Sequence, residues 1–266
     1  MARERLVTFL TDFGNRDPYV AAMKGVLLTI CSAARIVDIS HEIPPQDVLA
    51  AAVVLAQAAR CFPGGTLHVV VVDPGVGTKR RILAGRFGGQ CFLFPDNGVI
   101  TFVVQSMPME ELALVRNPRF LPAGRPSMTF HGRDIFAPVA GHILNGVELN
   151  ALGPQPETFE MLDLPAPAMQ GPDLVGQIIY VDHFGNLVSN LAADVVGQWC
   201  ADMEGFEVIC AGRNTGRLVG TYAFADQGNL LALINSMGLL EVAVNRGRAC
   251  DVLDVGVGAE VRLVRR

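Results

Sequence analysis

The residue types that can do chemistry gather first at Asp73. An unbroken apolar run, His68 to Val72, ends in Asp73-Pro74-Gly75-Val76-Gly77-Thr78, and Lys79, Arg80 and Arg81 follow. A carboxylate at the end of a buried strand, ahead of backbone freed by glycine, stands where open α/β sheets bind ligands. Asp73 and Arg80 can form a charge-assisted pair that holds a water or a polar substrate group. The plainer alternative is a solvated loop whose surface ion pair contributes little. A phosphate cradle is disfavoured, because the spacing G-x-x-x-x-G-K-[ST] is absent and the next segment reads as a strand, not a helix. His131 sits in Phe130-His131-Gly132-Arg133-Asp134, just before a helical pattern. A single histidine is more often structural than catalytic, and His41, His68, His142 and His183 take that reading.

Polar groups of a second kind suit recognition. Asp12, in Thr11-Asp12-Phe13-Gly14 after the first strand, can accept hydrogen bonds from ribose hydroxyls; otherwise it is a turn aspartate bonding its own backbone. Far along the chain, Val181-Asp182-His183-Phe184-Gly185-Asn186 offers a carboxylate and an amide. Asn235-Ser236-Met237-Gly238 is a similar polar turn, with Glu241 close behind. Such groups suit adenine edges and amino-acid head groups, and none is diagnostic alone.

These side chains need elements to position them. Arg5 to Leu10 reads as a strand, and Asp17-Pro18 as the start of a helix running to about Cys31. A strand at Arg35 to Ile39, a turn through Pro44-Pro45, a helix from Asp47 to Arg60 and a stop at Pro63-Gly64-Gly65 lead into the strand before Asp73. This β-α-β-α-β order predicts a parallel sheet with right-handed crossovers. Strands at Ile82 to Phe87 and Cys91 to Phe94, a turn at Pro95 to Gly98, a strand at Leu112 to Arg116 and a helix at Ile135 to Leu144 complete an N-terminal α/β domain, residues 1–158. Pro154, Pro156, Pro165, Pro167 and Pro172 mark a composition shift, with a linker over 159–173. Residues 174–266 then show short strands (Leu174 to Tyr180, Phe206 to Ala211, Leu230 to Ile234, Leu239 to Val244, Val261 to Val264), which predicts a small β-barrel or sandwich.

Composition excludes several classes. The chain has 266 residues, 50% of them hydrophobic and 18% charged, enough for a large core and against disorder. A net charge of −5 argues against a nucleic-acid binder. No run approaches the roughly 18 apolar residues of a membrane span. The N-terminal residues lack a signal-peptide pattern, and Cys31, Cys61, Cys91, Cys200, Cys210 and Cys250 form no C-x-x-C pair. Free thiols, no zinc site and a cytoplasmic location are the expectation.

In order along the chain, TDFG (11–14), VDPGVGTKRR (72–81), FHGRD (130–134), DHFGN (182–186) and NSMGLLEVAVN (235–245) resemble the S-adenosylmethionine hydroxide adenosyltransferase family, relatives of the fluorinating and chlorinating enzymes that use the same substrate. The resemblance covers nearly the whole chain. It implies an N-terminal α/β domain with a mostly parallel sheet and a smaller C-terminal β-barrel. It also implies a homotrimer with active sites between one subunit's N-domain and a neighbour's C-domain. The implied reaction is S-adenosylmethionine plus water giving adenosine and methionine, with no cofactor and no metal. Asp73, Arg80 and His131 match the family's water-activating set, and Asp12 its ribose-binding aspartate. Asn186 falls at the adenine contact, Asp182 and Ser236 at the methionine head group, and Glu241 on the methionine side. The residue types suit such a step. Attack at ribose C5′ expels a neutral thioether, so the leaving group needs no acid, while water needs orientation and a proton acceptor. Two alternatives differ in class. A halogenase would have to hold a halide, which a carboxylate at position 73 repels; the halogenating relatives resemble one another in an uncharged residue there. A non-catalytic S-adenosylmethionine or adenosine binder would not need all three of Asp73, Arg80 and His131.

Overall fold

The computed structural model describes residues 5–122, 124–201 and 205–265. The chain divides into two compact units, the first ending at Leu162 and the second beginning at Asp163.

The first unit contains β1 (Leu6–Thr11), α1 (Tyr19–Ile30), β2 (Arg35–Ser40), α2 (Val48–Ala59), β3 (Leu67–Val71), β4 (Ile82–Phe87), β5 (Gln90–Pro95), α3 (Thr101–Ser106), β6 (Met109–Leu114) and α4 (Ala137–Leu144). Its six strands lie in the order β2-β1-β3-β5-β4-β6. The expected parallel arrangement holds across β2, β1, β3 and β5. It ends at β4, which returns through Gly88-Gly89 as a hairpin and runs antiparallel to both β5 and β6. Every residue of β3 is buried, as its β-branched run requires. Val7, Phe9, Val69 and Val71 form one core with Met23 and Leu27 of α1 and Val139 and Ala140 of α4.

Local signals decide the element ends. Asp47 caps α2, its carboxylate accepting from Ala50 N at 2.8 Å. Asp17 caps nothing: α1 starts at Tyr19 after Pro18, with no side-chain cap. The helix expected from Ile135 begins instead as a π-helical turn, Gly132–Phe136, that passes directly into α4. The strand expected at Leu112 to Arg116 is shifted, because Arg116 N leaves the sheet to bond Leu152 O at 3.0 Å. The short α3 was not anticipated.

The second unit contains β7 (Ala168–Gln170), β8 (Asp173–Val181), β9 (Leu187–Ala192), α5 (Ala193–Cys200), β10 (Phe206–Cys210), β11 (Arg213–Gly216), β12 (Leu230–Ile234), β13 (Leu239–Val244), α6 (Ala249–Leu253) and β14 (Glu260–Arg265). Its antiparallel sheet has the order β11-β10-β14-β8-β9-β13-β12, with β7 beside β8. A parallel bridge from Leu218 to Ala232 brings the two ends close to closure as a barrel. Leu174, Ile178, Leu187, Val208, Val242 and Leu263 fill the interior.

The proline-rich stretch is tied down within each unit. Asp96 accepts from Glu160 N at 2.7 Å and Thr101 from Leu162 N at 2.8 Å, while Asn190 donates to Pro165 O at 2.7 Å. No helix among the described residues is long and apolar enough to cross a membrane.

Candidate active site

At the end of β3 the loop curls back on itself. Val76 N bonds Asp73 O, Thr78 N bonds Gly75 O, and Arg80 N bonds Thr78 Oγ1, which brings Arg80 over Asp73. Gly77 carries φ +77°, and a Cβ there would stand 2.4 Å from the Met128 carbonyl oxygen, so only glycine fits this turn. Arg80 Nε donates to both Asp73 oxygens, at 2.9 and 2.8 Å, and Nη2 adds a closer contact to Oδ2. Both side chains are nearly withdrawn from water, at 4% exposure for Asp73 and 10% for Arg80. A pair so desolvated and forked is far firmer than a surface ion pair.

Arg80 Nη2 also lies 2.8 Å from His131 Nδ1. Guanidinium only donates, so Nδ1 accepts and the neutral imidazole carries its proton on Nε2. Burial lowers the His131 pKa, and the Arg80 charge lowers it further against smaller opposing effects of Asp73 and Asp134. His131 is therefore neutral at neutral pH and presents an N–H. It stands at the head of the π-helical turn, whose Gly132 packs against Met23, Phe13 and Phe130.

Asp12 arrives from β1. Its loop is pinned by Thr11 Oγ1 to His41 Nδ1 at 2.9 Å and by Gly14 N to His41 O at 2.7 Å. One carboxylate oxygen accepts from Gln46 N at 2.8 Å. Asp12, Asp73 and His131 line one cavity of about 300 Å³, together with the rings of Phe13, Tyr19 and Phe130. That is the lower end of small-ligand sites. The three rings lie 5.2 to 6.0 Å apart by centroid. The first unit thus brings together all four of the residues picked out on it, and adds an aromatic wall and Gln46, which sequence did not single out for a role.

The second unit places Asp182 and Asn186 in one turn, Ser236 in another, and Glu241 in β13 just after it. Asp182 accepts from Asn186 N and Nδ2, both at 2.9 Å, so the pair closes its own loop. Glu241, 3% exposed, accepts from Tyr222 OH at 2.8 Å and Asn235 Nδ2 at 3.1 Å. Burial raises the Glu241 pKa, with the Asp182 charge contributing and the two hydrogen bonds opposing. Burial also raises that of Tyr222, and Glu241 adds to it. The exposed Ser236 sits at the tip of the Asn235 turn, where Met237 N and Leu239 N bond Asn235 Oδ1. Tyr222 was missed in the sequence because nothing near it marks a polar site.

Residues 7–153 match the SAM hydroxide adenosyltransferase N-terminal domain and residues 176–262 its C-terminal domain. The chain is 39% identical over 266 residues to the (R)-S-adenosyl-L-methionine hydrolase of Thermus thermophilus, covering 98% of this chain and 100% of that one. It is 39% identical over 267 residues to the protein of the same description from Salinispora arenicola, covering 99% of each. A fluorinase of an Actinoplanes species is more distant, at 29% over 291 residues, 98% of this chain and 97% of that one. Among solved structures, an uncharacterized conserved protein of Thermotoga maritima superposes with a TM-score of 0.90 at 36% identity, covering 97% and 100%.

Proposed function

Since the chain belongs to the SAM hydroxide adenosyltransferase family, we propose that it hydrolyses S-adenosyl-L-methionine to adenosine and L-methionine. The observation that carries this reading is one network, Asp73–Arg80–His131, opening on the cavity that also holds Asp12. Water attacks ribose C5′ from the side opposite sulfur. The O–C5′ bond forms as the C5′–S bond breaks, and its electron pair goes to sulfur, leaving the neutral thioether of methionine. The attacking oxygen becomes strongly acidic as it bonds carbon, so even an ion-paired carboxylate suffices as the acceptor of its proton. Asp73 takes that proton and passes it to solvent, so one proton is released per turnover.

The tautomer of His131 sets its part. Its Nε2–H donates to the water and keeps the oxygen lone pair turned toward C5′, while Arg80 holds both partners in place. Asp12 receives the ribose hydroxyls. In a homotrimer, Asn186, Asp182, Ser236 and Glu241 of a neighbouring copy take the adenine and methionine ends; support for this is the motif resemblance. The step as written calls for no cofactor, and the six free thiols suit a reducing, cytoplasmic setting.

A halogenase reading has the more distant fluorinase relative behind it, but Asp73 would set a carboxylate against the incoming halide. Incubating the purified protein with S-adenosylmethionine, with and without fluoride or chloride, separates the readings. Adenosine and methionine formed without halide support hydrolysis. A halide-dependent 5′-haloadenosine, or binding with no product, overturns it.

A further inference from the structure

Gln46 holds a left-handed backbone, φ +66°, which glycine adopts freely and an L side chain adopts under strain. The turn itself does not ask for glutamine. Asp47 N bonds Pro44 O at 3.0 Å and the Asp47 carboxylate caps α2, all without the Gln46 side chain. Its amide makes no hydrogen bond among the described residues, yet Gln46 lines the same cavity as Asp12. Its backbone N–H meanwhile fixes Asp12 Oδ2 at 2.8 Å, and Oδ1 takes no hydrogen bond from the described residues. An uncommitted amide held at a strained position beside a binding carboxylate is the pattern of strain kept for function.

The chemistry of the pair is complementary. A carboxylate accepts only, so it can satisfy hydroxyl protons but not hydroxyl oxygens; an amide NH2 beside it supplies the missing donor. Two adjacent hydroxyls present both needs at once. We propose that Gln46 is a specificity-determining residue that, with Asp12, reads the vicinal diol of a ribose ring and selects ribonucleosides over deoxyribonucleosides. This deepens the function proposed above and rests on it in taking an adenosyl ligand.

The test uses the full chain and its Gln46→Gly variant. Glycine keeps the N–H on Asp12, relieves the backbone and removes the side chain that carries the amide. Calorimetric binding of adenosine, 2′-deoxyadenosine and 3′-deoxyadenosine is measured for both proteins, with melting temperatures and with kcat and KM for S-adenosylmethionine. The original protein should prefer adenosine over at least one deoxy form by about tenfold or more. In the variant, adenosine affinity should fall about tenfold, that preference should shrink, and the loss should fall on KM. Its melting temperature should stay equal or rise. Unchanged affinity and preference in the variant, no preference in the original, or a loss matched by a lower melting temperature would each overturn the proposal. If the ribose preference behaves as stated while S-adenosylmethionine is not consumed, the diol reading stands and the hydrolase reading falls.

Discussion

In the first unit Asp73 shares its oxygens with the Arg80 guanidinium, whereas in the second Glu241, also withdrawn from water, accepts from the neutral Tyr222 hydroxyl and Asn235 amide. The difference is one of compensation. A forked cation orients the Asp73 carboxylate, while around Glu241 the two neutral donors only partly oppose burial, and burial together with the Asp182 charge raises its pKa. The first arrangement suits a group held in a fixed orientation to take a proton while an oxygen reacts beside it. The second suits recognition of a polar or cationic head group. Under the proposed function, the two units divide reacting from holding.

Replacing Asp73 should break the first arrangement most severely. Asp73→Asn is expected to lower kcat by about 10²–10⁴-fold in steady-state assays, with the calorimetric affinity for S-adenosylmethionine far less changed. Next, His131→Ala removes the N–H donor and should lower kcat by about 10²-fold. Because the His131 pKa is lowered by burial and by Arg80, the imidazole stays neutral as pH falls past the ordinary 6.5. The acid limb of kcat should therefore lie below pH 6.5; a limb centred above it would contradict the tautomer assigned here.

His68 shows what burial does with no charge partner among the described residues. It accepts from Thr8 Oγ1 at 2.7 Å, reaches Gln90 Oε1 at 3.1 Å and stacks on Phe92, and burial lowers its pKa from 6.5 to about 4. A folded value below the unfolded one means the unfolded chain takes the proton first. Stability is complete above pH 6.5, falls as pH drops from there toward 4, and levels off below. The full loss from this group is about 3 kcal/mol, measurable as a shift in urea midpoint that His68→Gln should flatten. Gly77→Ala meets the Met128 carbonyl and should destabilise by about 1–3 kcal/mol, slowing turnover as the Asp73 loop shifts. Smallest is Glu241→Gln, which keeps both neutral partners. It should change stability at pH 7 by less than about 1 kcal/mol and kcat by less than tenfold. If it cost as much turnover as Asp73→Asn, the contrast between the units would fail.

Much of this was legible in residue types. The run His68 to Val72 announced a strand buried on both faces, and Pro74, Gly75 and Gly77 announced the turn after it. Motif order assigned Asp73, Arg80, His131 and Asp12 together. What stayed hidden is long-range or conformational. The bond from Arg80 to His131 joins residues 51 apart, and so the tautomer was invisible. The left-handed backbone of Gln46 leaves no trace in composition. Strand β9 was missed because Ser189 and Asn190 interrupt its apolar run; their polar groups are used, by Leu240 O and by Gln177 N.

The most direct test of the central claim is the fate of the solvent oxygen. S-adenosylmethionine is turned over in ¹⁸O-water, and the adenosine, methionine and any side products are weighed by mass spectrometry. Attack by the water beside Asp73 predicts one ¹⁸O at the 5′ oxygen of adenosine and none in methionine. Label in homoserine, with 5′-methylthioadenosine as its partner, would place the attack on the methionine chain and contradict it.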